Sequence, residues 1–143
     1  MQGYKDHSRS MTNREFITEL CRVTGEETED IFIRGRRAGW LEAEDELDPE
    51  QDIARKQQAR ILHMYLLKEK KIPDLKDISK AYELKDLFDC RVCANHVAQV
   101  YCRGIMDAKN LMKNGRFLWF DLEGIDDDHA IRTHLSRLED FLS

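Results

Sequence analysis

The sequence predicts an all-α fold, a small helical bundle. Apolar residues recur at helical spacing in several segments. Only two prolines and seven glycines interrupt 143 residues. Several of the apolar runs are preceded by a capping residue and followed by a glycine or proline. The length suits one domain. A chain of about 150 residues buries roughly 70% of its unfolded surface, so neither a metal nor a disulfide is needed to hold it together. Charged residues are 36% of the chain and hydrophobic ones 41%, which leaves ample Leu, Ile, Val and Phe for a core.

Taken in order, residues 1–10 are polar and expected to be disordered. Thr12 and Glu15 have the spacing of a capping box, in which each side chain satisfies a backbone N–H of the other. Phe16, Ile17, Leu20 and Val23 follow at helical spacing, and Gly25 can close the helix in the left-handed conformation, so a helix is expected over 13–24. Residues 26–40 read as a second helix, acids leading and arginines trailing as the helix dipole prefers, with Gly39 as terminator. A polar connection follows. The strongest helix starts at Asp52 as N-cap, carries the stripe Ile61, Leu62, Tyr65, Leu66, and stops at Pro73. Residues 74–89 suggest a short helix and a turn. The cysteine-bearing helix spans 90–103, capped by Asp89 and ended by Gly104. The Asn114-Gly115 pair is a turn signal that predicts a small hairpin near 112–119. The last helix follows Asp126, Asp127 and Asp128, with Ile131, Leu135, Leu138 and Leu142 on one face.

The formal net charge is −5 and the pI about 5.6. Nucleic acid is therefore not an expected partner, since phosphate neutralisation needs a basic surface. The short basic runs, Arg34 with Arg36 and Arg37 and Lys68 with Lys70 and Lys71, read as solvated helix ends. No apolar stretch reaches the length of a membrane span, so no membrane insertion is expected. The start, MQGYKDHSRS, lacks the apolar region of a secretory signal. The expected location is the cytoplasm if the chain is complete as given, and the cell surface or the exterior if it is a fragment of a longer exported protein. His63, His129 and His134 have no visible nucleophile partner, so a non-enzymatic protein without a cofactor is expected.

Comparing the helices exposes a repeat. One copy is IRGRRAGWLEAEDELDPEQDIARKQQARIL and another is VYCRGIMDAKNLMKNGRFLWFDLEGIDDDHAIRTHL. Gly39-Trp40 matches Gly104-Ile105, Leu47-Asp48-Pro49 matches Phe120-Asp121-Leu122, and Ile53 is matched to Ile125. MTNREF is a further copy of the helix start, with Met11 in the role of Ile53. This pattern resembles the S-layer homology (SLH) domains of bacterial surface proteins. In that family an aspartate-led helix ends in GI.G, a loop closes in F.P, and the next helix opens with ITRAE. The resemblance runs over residues 11–140. It implies one helical domain over 11–143, with repeats roughly at 11–66 and 74–142 packed about a pseudo-threefold axis. It also implies a non-catalytic anchoring role through secondary cell-wall polysaccharide.

In the family the Thr-Arg pair of ITRAE carries much of that binding. The matching openings here are MTNRE at 11–15, IARKQ at 53–57 and IDDDH at 125–129. Arg55 alone occupies the arginine position, Thr12 keeps the threonine, Arg14 lies one place off, and the third copy is acidic. The resemblance thus implies a glycan site on Arg55, or on Thr12 with Arg14. Trp40 could stack on sugar, although Trp40 and Trp119 fit core lids at least as well. The alternative is a structural or protein-interaction domain that kept the fold and lost the glycan site, so that its partner is a protein.

Three readings apply to the cysteines. Cys90 and Cys93 with His96 have half of a zinc-site pattern, but no second pair stands at a matching distance. Cys-x-x-Cys near a helix start is also a redox arrangement, though no βαβ pattern surrounds it. The reading that periodicity favours places Cys93, Val97 and Val100 on the core face, with free cysteine acting as a small hydrophobe. Asp126, Asp127, Asp128 and His129 fit a helix N-terminus better than a cation site. The acids from Asp45 to Asp52 lack the spacing and central glycine of a calcium loop.

Overall fold

The fold, taken from a computed structural model, is described for residues 9–110 and 117–143. It is all-α: among these residues the only β contacts are four isolated bridges. Helix α1 (Asn13–Thr24) starts as its capping box predicts. Thr12 Oγ1 accepts from Glu15 N at 3.1 Å and the Glu15 carboxylate accepts from Thr12 N at 2.9 Å. Gly25 ends it at φ 79°, a left-handed geometry that a side chain resists. Helix α2 (Ile31–Ala38) is shorter than its sequence span. The preceding acids form a loop, whose Glu29 carbonyl accepts from Arg34 at 3.0 Å.

A short helix, α3 (Ala43–Leu47), stands where a plain connection was expected. The Asp45 carboxylate nucleates it by accepting from Glu42 N at 2.7 Å. Helix α4 (Arg55–Met64) is capped at Ala54 rather than Asp52, and it widens into a π turn over Tyr65–Glu69. Residues 74–89 contain two 3-10 turns, Ser79–Glu83 and Leu87–Asp89. Helix α5 (Arg91–Cys102) takes Cys90 as its N-cap residue, not Asp89. Helix α6 (Asp128–Leu142) is capped by Asp127, whose carboxylate accepts from Ala130 N at 2.8 Å.

The expected hairpin turn lies outside the described residues. Beside it, Lys109 and Trp119 exchange a pair of backbone hydrogen bonds of 2.7 and 2.8 Å. Residues 1–8 of the expected disordered segment also lie outside the described residues, whereas Arg9 and Ser10 are held against the start of α6.

The core forms where the helical stripes meet. Phe16, Ile17 and Leu20 of α1 face Ile131, Leu135 and Leu138 of α6, and Ile61 and Leu62 of α4 face Val97 and Val100 of α5. All are buried, and each contributes on the order of 2 kcal/mol.

The starts of α1, α4 and α6 are joined by a main-chain pattern that repeats three times. Asn13 N donates to Gln51 O (2.9 Å), Arg55 N to Gly124 O (2.8 Å) and Asp128 N to Arg9 O (2.7 Å). One residue further on, Arg14 N donates to Pro49 O and Lys56 N to Leu122 O, both at 2.9 Å. Each helix start thus satisfies its unpaired N–H groups on the chain leading into the next one, and the three close into a ring. This pattern corrects the sequence register. Pro49 and Leu122 are equivalent, so Ile53 corresponds to Asp126, not Ile125. Burial agrees: Ile53 and Asp126 are buried while Ile125 is 47% exposed.

Candidate functional site

The sequence-derived site residues do not form one site. Arg55 is buried, and the core uses its donors. Nε donates to Phe120 O at 2.8 Å, Nη1 to Asp126 Oδ2 at 2.7 Å and Nη2 to Asp107 O at 2.5 Å, with the guanidinium over the Phe120 ring. Nothing outside the protein reaches it, so Arg55 is a structural residue in this geometry. Trp40 is likewise inside. It packs edge-on to Tyr65 at 5.1 Å and donates from Nε1 to Glu69 at 3.1 Å. The core-lid reading fits Trp40, and sugar stacking does not. Thr12 spends its hydroxyl on the α1 cap.

Arg14 is different. It is half exposed, pairs with Glu50 at 2.7 Å and lies 5.5 Å over the Phe32 ring. It stands between two hollows. The first, about 270 Å³, lies along α1 and the start of α6 and carries Arg9, Arg14, Arg22 and Arg132 on its walls. The second, about 480 Å³, opens toward α2 and shares Arg14 and Thr18 with the first. The sequence reading missed Arg9, Arg22 and Arg132. Arg9 fell in the stretch taken as disordered, and Arg132 lies more than a hundred positions from its neighbours on α1. A helical-wheel reading of α6 puts Arg132 next to Ile131 at the edge of the apolar face, and that was the only signal.

The arginines are neutralised in part. Arg9 pairs with Glu15 at 2.6 Å, Arg22 with Glu19 at 3.0 Å, and Arg132 with Glu19 at 2.6 Å and Asp128 at 3.0 Å. A backbone hydrogen bond from Thr12 holds the Glu15 carboxyl below its usual range, opposed by its partial burial and helped by Arg9. Each guanidinium has five N–H donors in a planar fork, and all four arginine side chains are half exposed or more, so donors remain beyond those their carboxylate partners take. Such a surface can take an anionic or polyhydroxylated ligand by charge-assisted hydrogen bonds.

The cysteine reading is corrected. Cys90 and Cys93 are joined by a disulfide rather than standing as free thiols, with Cα atoms 5.2 Å apart. The reason is local. Cys90 sits outside the helix in extended geometry as its N-cap, which turns its side chain toward the third position of the first turn. Joined in this way the two sulfurs are not thiolate ligands, and Nδ1 of His96 is engaged with Nδ1 of His63 at 2.8 Å. Among the described residues no group of three or more His, Cys, Asp or Glu is placed to hold a metal ion. Cys21 is a buried free thiol and Cys102 a half-buried one. Among the described residues, no helix is long and apolar enough to cross a membrane.

No protein-family model matches the chain, and no curated protein sequence matches it. Among solved structures, the undecaheme cytochrome from the S-layer of Carboxydothermus ferrireducens contains a similar fold, with a TM-score of 0.60 at 12% identity. The match covers 98% of this chain and 19% of the cytochrome, so this chain spans about a fifth of that protein's length. At that identity the likeness is one of fold alone. A covalent c-type haem site needs His directly after Cys-x-x-Cys, and here Ala94 follows Cys93.

Proposed function

We propose that this chain is a non-catalytic binding module of S-layer homology type that holds its protein on a bacterial cell surface, with an acidic wall polysaccharide as ligand. The observation that carries the reading is the arginine-walled cleft at the opening of the first repeat, which shares Arg14 and Thr18 with the adjoining hollow lined by Phe32. Guanidinium forks suit the carboxylates of an acidic glycan, a hydroxyl suits its alcohols, and an aromatic ring suits the apolar face of a sugar. The ring of three helix starts supports the resemblance stated for the sequence, as does the fold's likeness to part of an S-layer protein.

The test is co-sedimentation of the protein with purified wall sacculi, before and after secondary polymers are extracted. The reading predicts pelleting with intact walls only. Pelleting that is equal with both, or absent with both, refutes it.

A second reading is favoured by one observation: each of the four cleft arginines already has a carboxylate partner. In that reading the domain keeps the bundle and binds a protein. A partner recovered by cross-linking on intact cells, together with failure to pellet on walls, would select it.

A further inference from the structure

We propose that Cys90 and Cys93 form a thiol–disulfide exchange site, and that its substrate is a dithiol on another polypeptide. The inference is independent of the arginine cleft. The disulfide lies at the start of α5, a helix of 12 residues, with Cys90 as its N-cap. The unpaired N–H groups and dipole of that first turn stabilise a thiolate on Cys90, which makes it the better leaving group and the more reactive thiol. Both cysteines are half-buried. They line a cleft of about 390 Å³ with Lys56, Arg60, Val92 and His96, so an incoming thiolate can reach the sulfurs. Cys90 also borders a second cleft. Lys56 and Arg60 are engaged with Glu123 and Asp45, and Glu42 and Glu44 line the same cleft, so the activation is assigned to the helix end and not to these side chains.

The position argues against a purely structural bond. The two cysteines are three residues apart, and a bond across so short a loop restrains the unfolded chain least. An extensive core lies elsewhere. The surroundings fit a polypeptide substrate. Phe88 (64% exposed) and Val92 (85% exposed) flank the pair, and Tyr82 stacks on Phe88 with ring centres 6.1 Å apart. Large apolar groups in the open next to a reactive bond favour a substrate with apolar side chains of its own.

A hydrogen-bond chain ends at the same cleft. The Asp74 carboxylate faces His63 Nε2 at 2.7 Å, and His63 Nδ1 faces His96 Nδ1 at 2.8 Å. With both rings neutral, one arrangement satisfies all of these contacts: His63 donates from Nε2 to Asp74, and His96 donates from Nδ1 to His63. This leaves a lone pair on His96 Nε2. His96 is one helical turn from Cys93, so the Cys93 thiol in the reduced state has an acceptor on its own helix face.

The chemistry is balanced as follows. A thiolate of the substrate attacks Cys90 Sγ and forms a mixed disulfide, the Cys90–Cys93 bond breaks, and Cys93 leaves as a thiolate and takes up a proton. The substrate's second thiol loses its proton and attacks its own sulfur in the mixed disulfide. Cys90 then leaves as a thiolate and is protonated. Two electrons and two protons pass from the substrate dithiol to the cysteine pair, and the substrate departs as a disulfide.

The test uses the whole chain in buffers of reduced and oxidised glutathione, with thiols trapped by alkylation and located by mass spectrometry. Burial pushes the Cys21 thiol up to about 11, so it stays protonated and unreactive, and Cys102 serves as the internal reference. The expected result is reversible interconversion of the Cys90–Cys93 pair with unchanged helical circular dichroism. Single-cysteine forms are expected to differ. Cys93→Ser should form a mixed disulfide with oxidised glutathione at least tenfold faster than Cys90→Ser does, and faster than Cys102. Phe88→Ser with Val92→Ser should slow exchange with reduced insulin B chain at least fivefold more than exchange with dithiothreitol. A pair that stays oxidised in excess reduced glutathione, a loss of helix on reduction, or a Cys90 no faster than Cys102 would overturn the proposal. Equal slowing with both reductants would overturn the polypeptide substrate.

Discussion

Arg55 Nη1 lies 2.7 Å from Asp126 Oδ2, and each side chain is only 3% exposed. The pair joins the starts of α4 and α6. Asp126 occupies the place that Ile53 and Met11 fill in the other two helix starts, so a carboxylate stands in a core position and Arg55 neutralises it. Gln58 adds a donor to the same oxygen at 3.0 Å, and Lys109 approaches the other oxygen at 3.2 Å. Despite burial, which works the other way, Arg55 and these donors hold the Asp126 carboxyl below its ordinary range.

Removing Arg55 leaves the buried Asp126 carboxylate with only the longer Lys109 contact and the Gln58 donor, and removing the Asp126 charge leaves a buried guanidinium without its counter-ion. Arg55→Ala or Asp126→Asn should therefore cost about 3–5 kcal/mol of unfolding free energy in urea titrations. An apolar pair, Arg55→Met with Asp126→Leu, should cost less than the sum of the two single changes. A double-mutant cycle reads the coupling directly.

Two histidines set a pH dependence. Burial pushes His134 and His96 down to about 4, below the ordinary 6.5. His134 is 4% exposed and donates from Nδ1 to Gln58 Oε1 at 2.8 Å. The unfolded chain then binds more protons than the folded one between pH 6.5 and 4. Stability should be full above pH 6.5 and fall as pH drops to 4, by on the order of 3 kcal/mol for His134. His134→Gln should flatten that slope in urea midpoints measured across the window.

Gly35 is held by space. A Cβ there would meet Leu41 Cδ1 at 2.4 Å and Cγ at 2.6 Å, where Leu41 is buried against α2. Gly35→Ala should destabilise by about 1–3 kcal/mol, opposite in sign to its gain in helix propensity. Thermal melts of the single variant decide the sign.

Thr12 closes the capping box of α1, so Thr12→Ala should cost about 1 kcal/mol, while Thr12→Ser should be close to neutral. Equal losses for both would indicate that Thr12 contributes its methyl group rather than its hydroxyl.

Much of the fold was legible because local chemistry sets it. The Thr12–Glu15 box, the stop at Gly25 and the stripe through Ile61, Leu62, Tyr65 and Leu66 depend on neighbours within a turn or two. The starts of α4 and α5 were misplaced because aspartate is a good cap by propensity. At Asp52 the chain is instead paired with Thr12, which delays the helix to Arg55. The third helix start slipped by one residue because Ile125 looks like Ile53, and the main-chain bonds from Arg55 N to Gly124 O and from Lys56 N to Leu122 O, far apart in sequence, are what put Asp126 inside. The site was less legible still. An arginine in a binding motif and an arginine in a buried ion pair look alike in a sequence, and the cleft arginines come from both ends of the chain.

The central claim is tested most directly by titrating the protein with acidic polysaccharide released from bacterial walls, comparing wild type with Arg9→Glu, Arg14→Glu. Both arginines are exposed, at 62% and 50%, and their surface ion pairs contribute little stability, so the variant should fold and melt as wild type does. The account predicts binding by wild type that weakens with added salt, and at least tenfold weaker binding by the double variant. No binding by wild type, or equal binding by a folded variant, would contradict it.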